Sequence, residues 1–144
     1  MLLLRRCFPL FALIILFGCN QDDNEPSPVT LVSASAGAVQ FDLNGSLTEG
    51  VGPEGPVKLT FSKALNPASI PGAIQLKEAG QSLDVTVTLA ADSRTVAVDP
   101  VVALKENTIY TLSIGNGLRG AKGEPFTPLE IEFKTSLTPL SIVS

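Results

Sequence analysis

Three stretches of this sequence bring together the residue types that binding or catalysis would use. Asp42-Leu43-Asn44-Gly45 offers a carboxylate and an amide oxygen two residues apart, as a calcium loop begins. Such a loop also needs a bidentate Glu at its twelfth position, and counted from Asp42 that position is Pro53. Asn-Gly more simply marks a hairpin turn. Gly115-Asn116-Gly117-Leu118-Arg119-Gly120-Ala121-Lys122-Gly123 combines glycines with two cations, as a phosphate cradle does. A cradle requires a helix after the glycines, and here Pro125, Pro128 and a strand pattern follow. The stretch reads as a flexible loop between strands, a place where contact surfaces often sit. Glu130 and Glu132 share one face of a strand, about 7 Å apart, inside the roughly 5–9 Å that separates glycosidase carboxylates. Their alternation with Leu129, Ile131 and Phe133 marks that face as the solvated one. The chain contains no His and no Trp, so the commonest general base and metal ligand is missing. No catalytic, cofactor-binding or metal-ligating residue is expected.

Those residues sit in a chain of 144 residues with a net charge of −4. The length suits one domain, and 44% hydrophobic residues set it apart from a disordered tail. The acidic balance gives no electrostatic basis for holding nucleic acid. Strand-like alternation is clearest in Val57–Ser62, Leu83–Leu89, Tyr110–Ile114 and Leu129–Lys134. Weaker candidates are Val29–Ser35, Val39–Leu43, Ala73–Leu76 and Thr95–Asp99. Gly and Pro punctuate the gaps, and no helical stripe of useful length occurs after the N-terminal segment. The pattern predicts an all-β, antiparallel two-sheet sandwich of about seven strands over residues 29–135.

Residues 1–18 read as an address rather than as fold. Arg5 and Arg6 precede the apolar run Cys7–Phe17, whose 11 residues span about half of a bilayer core as a helix. The run ends in Leu16-Phe17-Gly18-Cys19, which resembles the bacterial lipobox, although an ordinary secretory signal with an incidental Cys reads similarly. The resemblance implies cleavage before Cys19 and acylation of that cysteine, with palmitate-type chains anchoring the protein stably in a membrane. Residues 19–28 then form an acidic, proline-bearing flexible tether. Its acidic cluster resembles the surface-export signal of some Gram-negative lipoproteins, and Asn20 stands where an inner-membrane retention Asp would be. An outer-membrane, surface-exposed location is therefore expected. Cleavage would leave 126 of the 144 residues, 8 basic and 14 acidic, with net charge −6. No cysteine follows Cys19, so no disulfide can brace the fold.

Tyr110 is the only tyrosine. It opens a late strand six residues after Leu104, the position of the tyrosine corner in Ig-like sandwiches, where the ring enters the core and the hydroxyl bonds upstream backbone. A backbone acceptor is the expected partner. Of the other aromatic residues beyond the leader, Phe126, beside Pro125 in a loop, is the one expected to be exposed.

From Pro56 to Thr135 the chain resembles the SbsA-type bacterial Ig-like domain. The matching pieces are Val57–Ile70, then Asp92-Ser93-Arg94-Thr95-Val96-Ala97-Val98, then Leu104–Ile114, then Gly120–Pro125 before Leu129–Thr135. Ser93 departs from the usual turn Gly, and Ala36–Gly55 exceeds the usual connection. The resemblance implies an exported, non-catalytic envelope module, a spacer or interaction domain. Alternatives are a glycan- or protein-binding adhesin using its sandwich-end loops, or the membrane-proximal module of a longer exported hydrolase. Residues 136–144 read as a linker or the start of a following domain. Pro139-Leu140-Ser141-Ile142-Val143-Ser144 echoes Pro28–Ser33 at three of six positions, offset by 111 residues.

Replacing the acyl acceptor tests the anchor directly. Cys19→Ser is expected to move the chain from the membrane fraction to the soluble fraction, or to leave it unprocessed. A Cys19→Ser chain that still incorporates labelled fatty acid would refute the anchoring role.

Overall fold

A computed structural model of the chain describes residues 26–138. The leader, Cys19, most of the tether and Pro139–Ser144 lie outside the described residues. Ten strands form two sheets: β1 Leu31–Ala36, β2 Val39–Gln40, β3 Thr48–Val51, β4 Val57–Phe61, β5 Ile74–Glu78, β6 Gln81–Ser82, β7 Val85–Leu89, β8 Thr95–Pro100, β9 Ile109–Ile114 and β10 Leu129–Thr135. The first sheet has the order β2-β1-β4-β8-β7 and the second β3-β10-β9-β5-β6. The sandwich is therefore the expected all-β architecture, with three strands more than the seven expected. The strands with no counterpart among the candidate segments are β3 and β6, and β6 contains only two residues, too few for alternation to show.

Alternation decides which face of each strand is inward. In β4, Val57, Leu59 and Phe61 are buried while Lys58 is exposed. In β9, Tyr110, Leu112 and Ile114 are buried, and they register with Phe133, Ile131 and Leu129 of β10. The rings of Phe41 and Tyr110 stack on Phe133 at centroid distances of 5.0 and 5.7 Å. Phe61 and Phe126 meet edge to face at 5.8 Å. Phe126 is thus a core residue at 5% exposure, correcting the expectation of an exposed ring. Val29 pairs with Phe126 in a parallel bridge, and that pairing draws the loop ring inward.

One pairing departs from the antiparallel expectation. The β1–β2 hairpin reverses the chain, and residues 41–47 cross to the second sheet, with the Phe41 N–H on the Ala34 carbonyl and its ring on Phe133. Strand β3 then runs parallel to β10, with Thr48 beside Phe133 and Val51 beside Thr135. Asn44-Gly45 belongs to this crossing and not to a hairpin turn as expected. The long Ala36–Gly55 connection is the stretch that supplies β2, the crossing and β3.

Ser93, where a glycine is usual, takes φ +57°. Asp92 compensates. Its Oδ1 accepts the N–H groups of Arg94 and Thr95, both at 2.9 Å, and its Oδ2 accepts the Thr95 hydroxyl at 2.7 Å. These bonds, that of Thr95 first, hold the Asp92 carboxyl below its ordinary pKa. After β4, Asn66 caps a 3₁₀ turn at Pro67–Ser69, its side chain accepting the Ala68 N–H at 3.0 Å.

Candidate functional site

The strand directions place the two ends of the described residues at opposite poles of the sandwich. Val29 lies against Phe126 ahead of β10, whereas Ser136 follows the other end of β10. Seven residues of β10 separate the poles by about 20 Å.

At the N-terminal pole, Lys63 Nζ donates to the Ser27 carbonyl and to Ser27 Oγ, and lies 3.7 Å from Glu124. Glu124 is 7% exposed. Its carboxyl is held below the usual carboxylate range by its own backbone N–H, then by the Lys122 N–H and the charges of Lys63 and Lys122, against the opposing cost of partial desolvation. Space for it exists because residue 120 is Gly: a Cβ there would stand 2.3 Å from Glu124 Oε2. Composition showed only glycines and cations here, and no periodicity could link Lys63 to Glu124.

The Gly115–Gly123 stretch surrounds this group, and it is a braced loop, where a flexible one was expected. Leu118 is fully buried. The Arg119 carbonyl accepts the Asn66 N–H at 2.9 Å, and Ala121 N–H donates to the Ala64 carbonyl at 2.8 Å. Arg119 spends its guanidinium on the carbonyls of Asn116 and Leu118. With most of its N–H groups paired within the fold and the Arg119 guanidinium held by the loop's own carbonyls, the loop is not arranged as an anion cradle.

At the C-terminal pole, Tyr110 is 1% exposed. Its hydroxyl accepts the Lys105 N–H at 2.8 Å, so the bond runs from a backbone donor and not to the acceptor expected from sequence. Thr135, also buried, donates to the Lys105 carbonyl at 2.6 Å and accepts the Thr108 N–H at 3.0 Å. Between them, Tyr110 and Thr135 fix the loop that turns the chain into β9. Ser136 N–H donates to the Val51 carbonyl at 2.8 Å and seals the end of β10 against β3.

Of the remaining acidic candidates, Asp42 and Glu130 are engaged by near neighbours. Asp42 Oδ1 accepts the Asn44 N–H at 2.6 Å, a local turn. Glu130 points outward from β10, two-thirds exposed, and accepts the Ser113 hydroxyl at 2.6 Å with Lys77 at 3.9 Å. Glu132 is exposed on the same strand. The Lys77–Ser113–Glu130 row crosses three adjacent strands and is a solvated cross-strand ladder.

Residues 22–135 match the family described as bacterial Ig-like domain. The chain belongs to that family. It is 30% identical over 132 residues to an S-layer protein of Geobacillus stearothermophilus, covering 82% of this chain and 11% of that one. Its fold is similar to that of surface layer protein SbsC, domains 1-6, with TM-score 0.55 at 22% identity, over 76% of this chain and 14% of the other. It is likewise similar to CopC from Methylosinus trichosporium OB3b, with TM-score 0.54 at 18% identity, over 75% of this chain and 93% of that one. At those identities the two structures speak for the fold alone. The chain spans about a tenth of the S-layer protein's length.

Two measurements check the poles. Tyr110→Phe leaves the Lys105 N–H without its acceptor and is expected to cost about 1 kcal/mol or somewhat more. Thr111→Ala, on the opposite face, should cost clearly less; equal melting shifts would show that the hydroxyl contributes nothing. For Glu124, the depressed pKa means that the unfolded chain takes up the proton more readily than the folded one. Its contribution is present above the ordinary Glu range and is lost as pH falls through the lower folded value. Glu124→Gln should therefore flatten the loss of melting temperature on acidification, and an unaltered pH profile would count against this role.

Proposed function

We propose that this chain is a non-catalytic, lipid-anchored module of the bacterial cell envelope that acts as a spacer. The observation that carries the reading is that the backbone is held at one pole on its way in and at the opposite pole on its way out. Lys63 grips Ser27 at the first, and Val51 holds Ser136 at the second. A module tied in this way transmits its own length to whatever it joins. Chain ends that met at one pole would make the module a side branch. Membership of the bacterial Ig-like family, and likeness to an S-layer protein of which the chain spans 11%, support an address at the cell surface. Cys19 supplies the attachment, residues 19–28 the tether and residues 29–135 the rigid part. Asp42, Asp92, Glu124 and Glu130 are engaged in turns, a loop closure and a surface ladder, which favours the structural role over the hydrolase-linked reading.

The test uses the full chain with a C-terminal epitope on intact cells, together with a glycan array. The epitope is expected to be accessible to antibody, the chain to fractionate with membranes, and the array to show no retained glycan. Glycan retention that disappears when Gly115–Gly123 is replaced would favour the adhesin reading instead. A wild-type chain recovered in the soluble fraction would overturn the anchored one.

A further inference from the structure

Each sheet of a sandwich has two edges, and three of the four here are guarded. Strands β2 and β6 are two residues long. Strand β3 carries Glu49 and Gly50, the latter at φ +81°, and its register with β10 shifts. Short strands, charges and irregular registers are the devices that keep edges from pairing with other chains. Strand β7 has none of them. Val85-Thr86-Val87-Thr88-Leu89 contains no charge, Gly or Pro, and its register with β8 is unbroken over all five residues.

The hydrogen-bond phase of β7 is fixed at both ends. Ala90 N–H donates to the Thr95 carbonyl, and Val101 N–H donates to the Asp84 carbonyl. In an antiparallel ladder, bonded and non-bonded pairs alternate, so Thr86 and Thr88 turn their backbone groups towards β8. Val85, Val87 and Leu89 turn theirs outward. Pro100, which has no N–H, sits opposite Val85 at a non-bonded position, consistent with that phase. The side chains of the same three residues are half-buried. They line an open groove of about 490 Å³ shared with Ile70, Pro71 and Ile74. Among the described residues this edge is unpaired, and it presents three N–H groups, three carbonyls and a row of incompletely covered apolar side chains together.

We propose that two copies of this chain pair through β7, edge to edge and antiparallel, about a two-fold axis at Val87. That register sets Val87 against the partner's Val87 and Val85 against the partner's Leu89, all at bonded positions, giving six backbone hydrogen bonds. Thr86 faces the partner's Thr88 on the outer side, a favourable cross-strand pair. The flanking acids do not meet: Asp84 faces the partner's Ala90, and Asp92 lies beyond β7 in the turn to β8. A two-fold contact requires a self-complementary surface, and β7 meets that requirement in backbone phase, side-chain type and charge at one register. The first sheets of the two copies join into a single ten-stranded sheet, and each copy's Val and Leu row extends the cover over the other's groove.

The test is cross-linking of the full chain in detergent, with the wild-type chain as background for its own cysteines. In the double variant Thr86→Cys, Thr88→Cys, each new thiol faces one on the partner about 4.5 Å away between Cα atoms, within disulfide reach. The variant is expected to form a disulfide-linked dimer at least ~10-fold more efficiently than Thr86→Cys alone, whose two copies lie diagonally apart. Both positions are exposed, so the fold should tolerate them. Val87→Pro removes only an outward-facing N–H, a change that edge strands accommodate. It should retain the far-UV spectrum while returning the sedimenting species from dimer to monomer. A wild-type chain that sediments as a monomer overturns the proposal. So does a double variant that cross-links no more than the single one.

Discussion

Nothing covalent joins the two sheets, because no cysteine follows Cys19. The sandwich depends instead on one aromatic contact. Phe133, on the second sheet, has Phe41 stacked at 5.0 Å and Tyr110 at 5.7 Å. Phe41 belongs to the crossing that follows β2, and its N–H donates to the Ala34 carbonyl of β1. The stack therefore ties the first sheet, the crossing and the middle of the second sheet at one point. Much else follows from it. With its ring fixed against Phe133, Tyr110 can aim its hydroxyl at Lys105, and β10 is set to run past β3 until Thr135 and Ser136 close the far pole. In a domain of this size stability must come from such burial.

The sequence was most readable where one face of a strand is wet. β4, β7, β9 and β10 alternate cleanly, since one side packs on the core and the other meets water, and all four lie where alternation put them. It was least readable where pairing is not signalled by side-chain type. β3, Thr48-Glu49-Gly50-Val51, has almost no apolar character and is a strand because β10 offers it an edge. Phe126 looked exposed because Pro125 marks a loop, and only the bridge to Val29 shows why the loop is drawn inward. The direction of the Tyr110 bond was equally invisible, because a phenol both donates and accepts. The Lys63–Glu124 group needs residues 61 positions apart and a glycine whose missing side chain makes the room, a coincidence that no local pattern records.

Several polar side chains at the chain reversals share one use: each replaces a backbone partner that the sheets cannot supply. Asp92 satisfies the N–H groups of a turn that would ordinarily need glycine. Asn66 caps a 3₁₀ turn, Thr135 and Tyr110 satisfy the loop before β9, and Glu124 accepts from the loop around it. A sandwich has many chain reversals, and every reversal leaves backbone groups unpaired. A chain without His or Trp, and with no cysteine after Cys19, meets that demand with short polar side chains.

The same geometry bears on how paired copies could share a membrane. A two-fold axis across β7 is perpendicular to the strand, so each copy is inverted relative to its partner, with the N-terminal pole of one beside the C-terminal pole of the other. If Cys19 is lipid-attached, one of the two must stand with its first strand far from the bilayer. The added distance is about one strand length, roughly 20 Å. Ser27 is held by Lys63, so the free part is residues 19–26, and eight extended residues reach at most about 26–29 Å. The tether is therefore long enough for both copies to be anchored in one membrane while paired, and a tether cut to half that length would not be. On the proposed anchoring and pairing, the tether's length would serve the pairing as well as the reach of the module.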